Sequence, residues 1–225
     1  MRIFEHAKQK AEKALESLKF PSFNFSDNDY SYSKLFGWGE ESLRPLQIAA
    51  RQTIDENSDP GLLIIESVMG DGKTEAAWML AKYYAQKNCH SGLSFFLPTK
   101  STASAIHQRV VEYIHNFGFD KEFIPNLVYG GAETFEAQDR SHAWYVSSGK
   151  KALLYPLGIG TIDQALKGVL NTKHHFVRMH ALSNRVIIFD EIHACDVYML
   201  TILCRLVDHL KQLNCTIIML SATLP

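Results

Sequence analysis

Two short clusters of residues have the side chains needed to handle a phosphate. Gly70, Gly72, Lys73 and Thr74 lie just after an apolar run, LLIIE at 62–66, and Asp190 and Glu191 lie just after a second one, VIIF at 186–189. Backbone N–H groups can wrap an anion only where no Cβ blocks them, and the two glycines meet that need. Lys73 would reach the β- and γ-phosphates of a nucleoside triphosphate and the Thr74 hydroxyl would hold Mg²⁺. A helix over 74–85 would point its positive dipole end at the charge. A carboxylate at the end of the second strand can hold the same Mg²⁺, and its neighbour can take a proton from an attacking water. Asp190 is therefore expected as the metal ligand and Glu191 as the general base. The whole loop runs Ser67, Val68, Met69, Gly70, Asp71, Gly72, Lys73, Thr74, and it departs from the usual phosphate-loop pattern at Ser67, where glycine is customary. Either cluster alone also fits a plain turn or a pair of exposed acids; together in one chain they favour the chemical reading.

These clusters need a sheet to hold them. Strand, turn and helix recur along the chain: a strand over 93–97 ends in Pro98-Thr99-Lys100 and leads to a helix over 102–117. A short strand at 127–129 closes at Gly130-Gly131, followed by a polar helical piece at 133–139. Pro156 confines the next strand to its second half, where Thr161 can cap a helix over 162–170. Leu200, Leu203, Leu206 and Leu210 give a helix over 197–213 a face for the sheet, and a last strand, 215–220, ends in Ser221-Ala222-Thr223. The hydroxyls of Ser221 and Thr223 can hydrogen-bond to neighbouring strand ends. Upstream, Ser42 and Pro45 mark a helix start, and Gln47 in its first turn offers the donor and acceptor that reading an adenine edge requires, although a surface glutamine is the plain alternative. Apolar spacing predicts an amphipathic helix over 4–18 that packs on a neighbour, followed by an extended connector over 20–39 that pins its aromatics. The expected fold class is α/β, a mostly parallel sheet with helices on both faces, divided as 1–41 (helix and connector) and 42–225 (nucleotide-binding domain).

Composition sets limits. The chain has 225 residues, enough for one such domain with a short extension. With 23 basic and 24 acidic residues and a net charge of -1, any nucleic-acid contact must be a local patch. Cys89, Cys195, Cys204 and Cys215 show no CxxC spacing, which favours reduced thiols in a cytosolic protein over disulfides or zinc. His174, His175 and His180 lack metal-site spacing and receive no role. No apolar run approaches the roughly 18 residues that span a membrane, and the N-terminal stretch is charged throughout, so a cytoplasmic protein without membrane contact is expected.

Taken together, SVMGDGKT at 67–74, DEIH at 190–193 and SAT at 221–223 resemble the motifs of superfamily 2 helicases of the DExH type, in the same order. GKTEAA at 72–77, FFLPTKSTASAIHQRV at 95–110, GTIDQAL at 160–166 and VIIFDEIHACDVYM at 186–199 look most like the helicase part of the CRISPR-associated helicase-nuclease of type I systems. That resemblance covers about residues 43–225 and implies a RecA-like P-loop NTPase domain using ATP and Mg²⁺. It further implies that Gln47 contacts adenine, that Pro98, Thr99, Lys100 and Thr161 touch the phosphates of single-stranded DNA, and that His193, Ser221 and Thr223 couple nucleotide to DNA. Implied partners are a second RecA-like domain carrying an arginine finger, a nuclease domain and the CRISPR RNA-guided surveillance complex. Without that second domain the chain is expected to hydrolyse ATP near background, with Arg178 or Arg185 as the internal arginines to consider in the finger's place. The rival expectation is a non-hydrolysing nucleotide- or DNA-binding module, or a fragment of another superfamily 2 helicase.

Overall fold

The computed structural model describes residues 2–18, 23–56, 59, 61–119, 125–129, 145 and 149–223. Six apolar runs form strands: β1 (Leu62–Glu66), β2 (Gly92–Leu97), β3 (Asn126–Val128), β4 (Leu157–Thr161), β5 (Arg185–Phe189) and β6 (Thr216–Ser221). They make one sheet in the order β1-β6-β5-β2-β4-β3, and every pairing is parallel. Strands β2, β4 and β5 are buried at every position, as unbroken apolar runs in a doubly covered parallel sheet should be. The first regular residue of β4 is the one after Pro156. Gly160 is needed there because a Cβ would stand 2.2 Å from the Val128 carbonyl oxygen on β3.

Nine helices are described: α1 (Arg2–Leu18), α2 (Tyr32–Phe36), α3 (Pro45–Asp55), α4 (Lys73–Lys87), α5 (Lys100–Tyr113), α6 (Gly149–Ala152), α7 (Ile162–Leu166), α8 (His175–Leu182) and α9 (Val197–Gln212). One apolar cluster joins α4, α5 and the connector aromatics to one face of the sheet; a second joins α7, α8 and α9 to the other. Helix α4 is buried from Ala76 to Ala85 because the sheet, α3 and the connector enclose it.

Several sequence expectations shift. Pro45 begins α3, but its N-cap is Arg44, in extended backbone as a residue before proline must be; Ser42 sits in a tight turn instead and donates to the Gly39 carbonyl at 2.6 Å. The connector contains one helical turn, α2, opened by the Ser31 side chain and closed by left-handed Gly37, while Phe23, Phe25, Tyr30 and Trp38 pack on the core as expected. Residues 4–14 of α1 are all exposed, Phe4 at 77%, so the expected packing does not occur over that span. Helix α7 stops at Leu166, where Gly168 N turns back to the Ala165 carbonyl at 2.9 Å. Thr99 caps α5 two residues earlier than expected, and the helix tightens after Tyr113 into a 3-10 turn, Ile114–Phe117. The expected turn at Gly130-Gly131 and the helix at 133–139 lie outside the described residues.

Candidate functional site

A parallel sheet brings the carboxyl ends of all its strands to one edge, and the motifs meet there because each follows a strand. The loop at 67–74 leaves β1, Asp190 and Glu191 leave β5, Ser221 ends β6, Pro98-Thr99-Lys100 leaves β2 and Thr161 ends β4. Two backbone bonds tie the edge together: Ser67 N–H donates to the Ser221 carbonyl (3.2 Å) and Asp190 N–H to the Phe96 carbonyl (2.9 Å).

In the loop, Gly70 and Gly72 adopt φ of 84° and 80°, the left-handed region. A Cβ on Gly72 would stand 2.2 Å from Gln47 Nε2, so the loop and the start of α3 approach closely only because this residue is glycine. Gln47 is 1% exposed, and its Oε1 accepts from Arg44 N–H at 3.0 Å. Ser67, in the customary glycine position, donates its hydroxyl to the Asp71 carboxylate and braces the loop. The Lys73 ammonium donates to the Ser67 and Val68 carbonyls, the latter at 2.7 Å, so it already points into the turn.

Asp190 is 7% exposed, with Oδ1 accepting from Glu191 N–H at 2.8 Å. Burial raises its pKa to about 6, against the opposing pull of Lys73 and His193. Glu191 has a φ of 52°, an uncommon left-handed position for a non-glycine and a form of strain that recurs at functional sites. His193 Nδ1 accepts from Ala222 N–H at 3.3 Å and faces Ser221 Oγ at 3.5 Å, which places the ring proton on Nε2 when the imidazole is neutral. Ser221 Oγ donates to the Thr223 carbonyl, so Thr223 enters the network through its backbone.

A cleft of about 610 Å³ is lined by Gln47, Met69, Gly70, Gly72, Lys73, Thr74, Asp190, Glu191 and His193. The strand-contact candidates form a neighbouring group, since Leu97 and Thr161 are register partners on adjacent strands. Thr99 Oγ1 accepts from Thr102 N–H at 3.2 Å, and Lys100 Nζ lies 5.4 Å from the Tyr129 ring centre. Thr161 holds the cap position of α7 but is 3% exposed, and its hydroxyl donates to Asp163 rather than accepting from the helix.

Sequence reasoning missed five residues that also line the cleft: Trp38, Ser42, Arg44, Glu75 and Arg109. Nearness to Gln47 and Thr74 was the available signal for Ser42, Arg44 and Glu75; Arg109 lay inside the 95–110 stretch that carries the resemblance, but its side chain had no role attached. Arg185, one of the two internal arginines considered for the finger, is fully buried at the opposite end of β5 and donates to the Tyr155 carbonyl at 2.8 Å and the Leu154 carbonyl at 3.1 Å, so it cannot reach the phosphates. Arg178 donates to Gln164 Oε1 at 3.3 Å and does not line the cleft.

The DEAD/DEAH box helicase family matches residues 44–225. The CRISPR-associated endonuclease/helicase Cas3 of Thermus thermophilus is 35% identical over 96% of this chain and 25% of its own length. A crystal structure of T. fusca Cas3 with ADP superposes with a TM-score of 0.85 at 29% identity, covering 98% of this chain and 25% of that one. A chain in a CRISPR RNA-guided surveillance complex, pre-nicking, matches with a TM-score of 0.61 at 33% identity, covering 86% of this chain and 19% of that one. The chain thus spans about a quarter of the length of the curated relatives it matches. With the motif residues gathered at one sheet edge and the family match extending over most of the sequence, the chain belongs to the DEAD/DEAH box helicase family.

Proposed function

We propose that this chain is the first, ATP-binding RecA-like domain of an ATP-driven single-stranded-DNA helicase or translocase acting in a type I CRISPR interference system. The observation that carries the reading is the convergence of Lys73, Thr74, Asp190 and Glu191 on one cleft at the carboxyl edge of a parallel sheet. The Cas3 names of the relatives and the surveillance complex in which one of them sits support the CRISPR setting.

Each residue has a role. Gly70 and Gly72 free the backbone amides to face phosphate oxygens, and Lys73 exchanges the Ser67 and Val68 carbonyls for the terminal phosphates. Gln47, beside Gly72, takes the adenine edge. Thr74 and Asp190 offer two hard oxygen donors, a set that fits Mg²⁺ because this ion keeps most of its waters and takes few protein ligands. Bound there, Mg²⁺ would neutralise charge developing on the phosphates. Glu191 accepts a proton from the attacking water. His193, in the turn after β5, and Ser221, at the end of β6, with the Thr223 backbone, sense the change, while Pro98, Thr99, Lys100 and Thr161 hold the phosphates of the DNA strand. For Thr161 this requires release of the hydroxyl from Asp163. Residues 42–225 form the nucleotide-binding domain and 1–41 a preceding helix and connector.

A second RecA-like domain supplies the arginine finger, and a nuclease domain and the RNA-guided complex complete the machinery in the cytoplasm. No helix among the described residues is long and apolar enough to cross a membrane. The test is Glu191→Gln assayed with the second domain present. Nucleotide binding should persist while hydrolysis falls by about 10² to 10⁴, the usual contribution of general acid–base catalysis. Hydrolysis at the unaltered rate would mean the base lies elsewhere.

A further inference from the structure

Glu75 directly follows Thr74 in the first turn of α4, and Arg109 lies in the third turn of α5. An Arg109 Nη2–H donates to Glu75 Oε1, so the helix growing out of the phosphate loop is tied to the helix that Thr99 caps. Both side chains line the same cleft as Lys73 and Asp190. Glu75 is 12% exposed and Arg109 49%, so the acid is held in place while the guanidinium is the end free to change partners. An ion pair this exposed on one side adds little to stability, and its location is its more informative property.

We propose that the Glu75–Arg109 pair is the positioning link between occupancy of the nucleotide cleft and α5, and so the turn at 98–100; the inference rests on the proposed roles of those two places. The physical cause is competition. A polyphosphate in the cleft attracts the Arg109 guanidinium, which is otherwise committed to a single carboxylate. Any shift of Arg109 is transmitted along a rigid helix, about 13 Å from the residue that opens α5 at the usual rise of 1.5 Å per residue, to the Thr99 cap. Glu75 senses the loop as well, because it adjoins Thr74. The pair is thus an element with two arrangements that both ligands bias, and the effect must be reciprocal: a strand bound at 98–100 changes nucleotide affinity by the same factor by which nucleotide changes strand affinity.

The test measures the Kd of a fluorescent ATP analogue with Mg²⁺ at low salt, with and without saturating oligothymidylate, for the 225-residue chain and for Glu75→Gln, Arg109→Gln, the double variant and Arg109→Lys. The ratio of the two Kd values is the coupling factor. The unaltered chain should show a factor of about five or more. Both Gln variants should bring it to about one, the double variant should lose no more than either single, and Arg109→Lys should retain most of it. A pair that only stitches two helices together would change melting temperature and both Kd values while leaving the ratio intact, and that result overturns the proposal. So does a factor of one in the unaltered chain when both ligands bind. Failure of that chain to bind the analogue at all would instead remove the proposed function on which the link rests. Because Arg109 is half exposed, its variants decide the matter even if Glu75→Gln fails to fold.

Discussion

Replacing Asp190 by Asn should stabilise the metal-free protein at neutral pH while removing its response to Mg²⁺. Burial raises the folded-state pKa of Asp190 to about 6, from the ordinary aspartate value of 3.8 that the unfolded chain should approximate. The folded state therefore holds this proton more tightly than the unfolded one, and ionisation works against folding. The penalty is absent below about pH 3.8, grows as pH rises through the interval up to about 6, and is complete above it. A difference of about two units, at 1.36 kcal/mol each, gives about 3 kcal/mol at pH 7.5. Asn cannot ionise, and its amide oxygen can keep the hydrogen bond that Asp190 Oδ1 accepts from Glu191 N–H. At 2–4 °C per kcal/mol for a domain of this size, the variant should melt about 6–12 °C higher at pH 7.5 without metal and about level with the unaltered protein at pH 4. Mg²⁺ with a nucleotide should narrow the gap by stabilising only the unaltered protein. Thermal denaturation by circular dichroism at the two pH values decides it; an Asn variant that is less stable at pH 7.5, or equally stabilised at both, would refute the reasoning.

Three further outcomes follow from the same geometry. Gly72→Ala places a Cβ against Gln47 Nε2 at a φ of 80°, so it should weaken ATP binding and cost more stability than Gly70→Ala, which has open space around it and should cost only the left-handed backbone strain of about 1–2 kcal/mol; paired melting and binding curves separate them. Lys82 is completely buried on α4 and donates to Asp27 Oδ1 at 2.7 Å and the Asp29 carbonyl at 2.9 Å, anchoring the connector; Lys82→Met should cost about 1–3 kcal/mol at neutral pH. That hydrogen bond holds the Asp27 carboxyl below its ordinary range, so the deficit should shrink as pH falls below about 3.8 and the carboxylate protonates, which denaturant melts at pH 7 and pH 3 would reveal. ATPase of the chain alone should stay near background, since an arginine finger contributes about 10³ to 10⁵ in rate; robust DNA-stimulated turnover would point to Arg44 or Arg109, which line the cleft among the described residues.

The strands were legible because buried parallel strands are unbroken apolar runs, and the tight turn after β1 was legible from its two glycines, which adopt the left-handed backbone. The convergence of Lys73 with Asp190 followed from topology alone, as parallel strands share one carboxyl edge. Less could be read where tertiary contacts decide. Lys82 breaks the apolar face of α4, and only the fold shows that Asp27 and Asp29, far off in sequence, satisfy it. Arg109 sits among ordinary helix residues, and its place in the cleft depends on how α5 lies beside α4. The start of α3 was misjudged because Ser42 is a favoured cap residue, while the constraint that Pro45 places on Arg44 prevailed. Thr161 was read as a helix cap and, by resemblance, as a contact for DNA phosphates, but it is buried beside its β2 register partner Leu97 and its hydroxyl donates to Asp163.

Calorimetric titration of ATP with Mg²⁺ into the unaltered chain and into Lys73→Ala tests the phosphate site most directly. The Lys73 ammonium is held by two loop carbonyls and is positioned to exchange them for phosphate oxygens, a charge-assisted contact worth about 1.5–3 kcal/mol. The expected result is measurable binding by the unaltered chain and an affinity about 10- to 150-fold weaker in the variant, with both proteins folded. Equal affinities would mean that the loop at 67–74 is not where the nucleotide binds.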